Sequence, residues 1–133
     1  MVYGPFSLAG ATAADLKFKL WLNSELNYDG VCRMASVDGN SFSGSCSTGN
    51  SNGWVDRTLD LSNVPELGNL LGRSQVWVAL AFISDGSIVK TEGAYPDEIV
   101  LRKCMSASCP ATSLASADPP DSQLVEFPMT LQK

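Results

Sequence analysis

Apolar side chains recur at every second position along most of this chain, which is the period of a half-buried strand rather than of a helix. In Leu16-Lys17-Phe18-Lys19-Leu20-Trp21-Leu22 the even positions are apolar and the odd ones carry Lys17, Lys19 and Trp21. Ala11-Thr12-Ala13-Ala14, just before it, has helical character but is too short to outvote that alternation. Val55, Leu59 and Leu61 share one side of a strand starting at Trp54, and Ile99 and Leu101 share one side of a strand entered through Gly93-Ala94-Tyr95-Pro96. Val76 to Ile83 is apolar at both parities, which predicts a central strand covered on both faces. Val2 to Phe6 reads as a strand already under way.

Turn chemistry separates these runs. Asp38-Gly39-Asn40 lies between Val31–Val37 and Ser41–Cys46 and predicts a hairpin, because Gly and Asn tolerate positive φ. Pro65, Gly68 and Gly72 leave room for at most one or two helical turns between Ser62 and Gly72. Gly44 to Gly53 is small and polar and predicts a loop. The pattern yields an all-β module over residues 1–110, an antiparallel sandwich of about eight strands. Residues 111–122, rich in Pro, Ala, Ser and Asp, read as a linker. Residues 123–133 read as a short β-like tail with an internal Pro128, packed on a sheet edge or leading to another domain.

Length and composition then narrow the function classes. At 133 residues the chain can bury a self-sufficient core. Nine basic against fourteen acidic side chains give a net charge of −5, which argues against nucleic acid or an anionic membrane as partner. The absence of histidine removes Ser-His-Asp and Cys-His nucleophile activation. The longest apolar run, Val76 to Ile83, is far short of the roughly 20 residues needed to span a bilayer. Met1 leads directly into the first strand, which reads as a module cut from a longer exported protein.

Cys32, Cys46, Cys104 and Cys109 lack Cys-x-x-Cys spacing, so disulfides are the better reading than zinc. Three pairings exist. Cys32 and Cys46 stand equally far from Gly39, the centre of the predicted hairpin, and so face one another across the ladder; Cys104 and Cys109 would then close a short loop. Paired cysteines imply an oxidising, extracellular or cell-surface setting.

Several segments, taken in order, carry a likeness. Gly4-Pro5-Phe6-Ser7-Leu8-Ala9-Gly10 running on to Phe18, Asp38-Gly39 at a hairpin, Trp54 before Asp60-Leu61-Ser62, Val76-Trp77-Val78 with Phe82 and Ser84-Asp85-Gly86-Ser87, and Gly93-Ala94-Tyr95-Pro96-Asp97-Glu98-Ile99 resemble the jelly-roll accessory domains beside the catalytic domains of secreted bacterial peptidases of the immune inhibitor A type. These domains are related in architecture to MAM-like and carbohydrate-binding sandwiches. The resemblance covers residues 3 to about 104. It implies a jelly-roll sandwich and, near its last strand, a structural calcium, for which Asp97 and Glu98, with Asp29 from the loop after the second strand, are the candidate ligands. The competing reading of these acids is solvated loop carboxylates.

Other chemistry is weaker. Ser87-Ile88-Val89-Lys90 matches Ser-x-x-Lys, but follows Asp85-Gly86 between strands instead of lying on a helical turn. A pair of carboxylates for glycoside hydrolysis is not singled out by any feature. Sugar binding would use exposed rings flanked by polar groups, and Trp21, Trp54, Tyr28 and Tyr95 are the candidates; the alternative is that Trp54 and Trp77 are core and Trp21 merely covers a sheet face. The sequence therefore predicts a non-catalytic accessory module of a secreted or cell-surface bacterial protein, a peptidase or an adhesin. It would serve domain packing, substrate targeting or adhesion, with neighbouring domains, a glycan or a surface protein as partner. The alternative is a carbohydrate-binding module, and a carboxylate hydrolase is a distant third.

Overall fold

The structure is a computed structural model and describes residues 1–88, 90, 92–109 and 118–133. Eight strands follow in order: β1 (Val2–Phe6), β2 (Ala13–Asn23), β3 (Gly30–Ser36), β4 (Ser41–Thr48), β5 (Val55–Asp60), β6 (Val76–Ile83), β7 (Gly93–Cys104) and β8 (Val125–Gln132). They form two antiparallel sheets, a five-stranded one ordered β1-β6-β3-β4-β8 and a three-stranded one ordered β5-β2-β7. All-β architecture in a sandwich-like arrangement is what the period-two pattern predicts. No helix of the described residues is long and apolar enough to cross a membrane.

The core lies between the sheets. Leu16, Leu20 and Leu22 of β2 and Val55 and Leu59 of β5 meet Val31 and Ala35 of β3 and Val76, Val78 and Leu80 of β6 in one buried cluster. Alternation thus wins over the alanine-rich segment, because β2 begins at Ala13 and the even-numbered leucines need the strand period to reach this core. The stretch from Ser62 to Gly72 holds turns and a single bridge between Val64 and Gly68.

One expectation changes, and one alternative is decided. Gly44 to Thr48 is strand, not loop: β4 runs on to Thr48, paired with β3 on one side and β8 on the other. Ladder hydrogen bonds on both sides override weak strand propensity. Gly44 is required there, because a Cβ would collide with the Arg33 carbonyl and the Met34 Cα across the ladder. The tail is β8, zipped along β4 from Ser41 against Gln132 to Thr48 against Val125. Of the stretch read as linker, residues 111–117 lie outside the described ones.

Pro5, Pro96 and Pro128 all sit in strands at a sheet edge, β1, β7 and β8, where a missing N–H can face away from the ladder. Both expected disulfides form, the first by hairpin register and the second as the remaining pair. Cys32 faces Cys46 with Cα atoms 3.9 Å apart, and Cys104 is bonded to Cys109 at 5.9 Å. Two disulfides fit an oxidising, non-cytoplasmic environment.

Candidate functional site

The register of the three-stranded sheet stacks its outward side chains in rows. Lys17, Lys19, Trp21 and Asn23 all point away from the core, opposite in parity to Leu16, Leu20 and Leu22. Trp21 faces Tyr95 of β7, and continuing the Leu20–Val55 pairing by one residue sets Trp54 on the other side of Trp21. One step along the strands, Asn23 lies between Gly93 and Asn50, the latter through an isolated bridge. One step the other way, Lys19 lies between Asp56 and Asp97. An aromatic row, Trp54-Trp21-Tyr95, is therefore framed by an amide row and a charged row, each about 7 Å away by strand geometry.

Exposure follows from this. Trp54 and Tyr95 are 50% and 52% exposed, whereas Trp21, between them, is half-buried. Trp21 and Tyr95 meet with ring centroids 5.7 Å apart and planes at 61°, forming an aromatic corner. In the charged row Lys19 Nζ lies 3.6 Å from Glu98 Oε2, an exposed ion pair of small energetic weight.

The amide row opens into a polar cavity of about 230 Å³ lined by Asn23, Glu25, Asn50, Lys90 and Gln123 among others. A smaller one, about 180 Å³, shares Asn23, Ser24, Ile88 and Lys90 with it. The segment that brings Asn50 here is pinned to β2: Ser24 N donates to Gly49 O at 2.9 Å, Ser51 N donates to Leu22 O at 2.9 Å, and Gln123 N donates to Asn50 O at 2.8 Å. Asn23 Nδ2 donates to Glu92 Oε2 at 3.2 Å. A larger cavity, about 370 Å³, opens between the sheets beside β7. Its lining includes Val31, Leu80, Phe82, Ala94, Pro96 and Ile99 and no polar side chain, so it offers nothing directional.

The residues singled out from sequence fare differently. Trp21 and Tyr95 meet across the ladder, and Trp54, next to the last β2–β5 pair, is half exposed and not core. Tyr28 is exposed but sits in the loop between β2 and β3, outside that row. Asp29, Asp97 and Glu98 are not brought together as calcium ligands. Among the described residues no group of three or more Asp, Glu, Cys or His could hold a metal. Asp29 is buried and accepts from Asp85 N at 3.1 Å, while Asp97 Oδ1 accepts from Glu98 N at 2.7 Å. A bulge separates the last two acids: β7 slips against β2 between Lys17 and Lys19, with Glu98 at φ +48°. Ser87 Oγ lies 2.8 Å from Asp85 Oδ1 and 3.1 Å from Glu25 Oε2, its one proton shared between two carboxylates, so it is held as a loop hydroxyl.

A second polar cluster was not foreseen. Arg33 and Arg57, each 8% exposed, point inward where the five-stranded sheet extends past β5. Arg33 Nη2 lies 2.6 Å from Glu126 Oε2 and its Nε donates to Thr58 O at 3.0 Å; Arg57 donates twice to Asp118 at 2.9 Å, and its Nε is 3.0 Å from Glu126 Oε1. Burial alone would push the Glu126 carboxyl up, but Arg33, Ser47 and Arg57 together hold it below its usual value. Hydrogen bonds from Arg57 likewise lower Asp118. This network straps β8 and its approach to the sandwich. Its two members on β3 and β5 carry a signal in the sequence, since Arg33 and Arg57 fall at inward parity between core residues.

Comparison with protein-family models, with curated proteins and with solved structures returns no match to the chain.

Proposed function

We propose that this chain is a non-catalytic module of an exported or cell-surface bacterial protein, and that it targets its parent by binding glycan on the outer face of the three-stranded sheet. The carrying observation is the Trp21–Tyr95 pair on the outer face, with the exposed Trp54 next to the Leu20–Val55 pair and polar rows through Asn23 and Lys19 on either side. Sugar rings present apolar C–H faces rimmed by hydroxyls, so a protein surface that binds them needs aromatic area bordered by hydrogen-bonding groups. A peptidase or adhesin as the parent, with neighbouring domains as further partners, rests on the resemblance stated above. A non-enzymatic role is supported by the absence of histidine from the chain. A jelly-roll wrapping is supported by the nested pairs β2 with β7 and β3 with β6. The disulfides support an extracellular location.

Glycan-array binding of the wild type against Trp54→Ala and Trp21→Ala tests the reading. Each substitution should weaken the signal about tenfold or more, as expected for losing one stacking ring. Trp54→Ala should leave the protein folded with only a modest drop in melting temperature, because half of its ring is already in water. Absence of glycan binding, or binding indifferent to both substitutions, sinks the proposal.

A further inference from the structure

We infer that the ligand is a neutral oligosaccharide of at least two sugar units, one ring on the aromatic row and the next in the amide-lined cavity beside it. This rests on the glycan-binding reading and extends it to the ligand's length and charge.

Continuity comes first. Asn23 follows Trp21 by two residues on the same face of β2, and it lines the cavity, so row and cavity share a wall. Between them, on β7, the amide row holds Gly93 opposite Asn23 where a side chain would otherwise stand. That leaves the path from Tyr95 toward Asn23 open to a chain of linked rings.

Lining chemistry comes second. Asn23, Asn50 and Gln123 each offer both donors and acceptors, Glu25 accepts and Lys90 donates. Hydroxyls also donate and accept, so a mixed lining suits a ring carrying several of them. Cations would have to dominate for an acidic sugar. Among the described residues Lys90 is the one cation lining this cavity, where Glu25 also lines it, with Glu92 held by Asn23. On the other side of the aromatic row Asp56, Asp97 and Glu98 surround Lys19. With a net charge of −5 over the chain, an anionic glycan meets repulsion on approach and at both flanks of the row.

An array of single sugars and their oligomers built from glucose, mannose, galactose, xylose and N-acetylglucosamine, beside oligogalacturonate and hyaluronan fragments, tests this with the full chain. Neutral oligomers should be retained and the corresponding single sugars should not. Gln123→Ala and Asn23→Ala should each weaken oligomer binding about fivefold, the worth of one hydrogen bond, with the melting temperature of Gln123→Ala unchanged. Single sugars binding as tightly as oligomers, acidic fragments binding more tightly than neutral ones, or both substitutions proving silent while Trp54→Ala abolishes binding would each overturn this inference and leave the glycan-binding reading intact. No binding to any glycan overturns both.

Discussion

The two sheets present outward faces that use the same residue types to opposite ends. On the five-stranded sheet Met34, Phe42, Ala79 and the Cys32–Cys46 disulfide are buried, with Trp77, Ile83, Phe127, Met129 and Leu131 packed over them as a second apolar cluster. Trp77 is folded down onto Gly39 of the β3–β4 turn and Gly4 of β1: a Cβ on Gly39, at φ +74°, would come 3.1 Å from its Cε2, and one on Gly4 would come closer still. On the three-stranded sheet the tryptophans have no such cover. Lys19, Asp56 and Asp97 flank the row instead of aliphatic side chains, and Trp54 remains half in water. The fate of an aromatic side chain on a sheet surface is set by its row neighbours, which only the register reveals.

The comparison can be broken most strongly on the covered face. Replacing Cys32 and Cys46 together with alanine should cost about 3 kcal/mol, the value expected for a loop of this length, and denaturant titration would measure it. Glycan binding should survive in whatever fraction stays folded, since the disulfide lies on the opposite face. If the double substitution abolished binding at full stability, the two faces would not be independent.

The strap between the faces should respond next. Glu126→Gln leaves Arg33 and Arg57 buried with one charged partner fewer, at a cost of about 2 kcal/mol read from the same titration. Acid should act in the same direction. Both Glu126 and Asp118 have folded-state values below their unfolded ones, so their contribution is fully present above the ordinary carboxylate range and is lost as pH falls through the lowered values. Thermal melts of the wild type should drop below about pH 4, and the drop should shrink in Glu126→Gln. An equal drop in both proteins would show that the strap does not titrate.

The smallest expected effect lies on the exposed face. Glu98 holds a positive φ at the β7 bulge, strained for any residue with a Cβ, and its ion pair with Lys19 is exposed. Glu98→Gly should therefore be neutral or stabilising by up to about 1 kcal/mol. A clear loss of stability would show that the ion pair outweighs the strain.

Much of this architecture is legible in the sequence. Period-two alternation located the strands, because side chains on a sheet must choose a face. The symmetry of Cys32 and Cys46 about Gly39 gave their bond, because a hairpin fixes its own register. Beyond neighbouring strands the sequence runs out of such rules. Asn50 reaches the row through a crossover from β4 to the other sheet, and nothing local marks Asn50 and Asn23 as partners. Tyr95 is brought to Trp21 by one long-range ladder, and Trp54 stands just beyond the end of another. Gly44 to Thr48 carries the small polar composition of a loop and is strand only because strands on both sides claim its backbone. Glu98 escaped because a bulge leaves no mark in the alternation it interrupts.

The strand order has a mechanical consequence. β1 and β8 occupy opposite edges of the five-stranded sheet, and successive antiparallel pairings make β1, β3 and β8 run the same way. Tension drawn on residue 1 and residue 133 therefore pulls the two edges in opposite senses along the strand axes. Antiparallel ladder bonds lie across that axis, so the load is shared in shear by whole ladders instead of unzipping them one bond at a time. The covalent rung between β3 and β4 crosses one of these ladders, so that ladder cannot part in shear without a bond being broken.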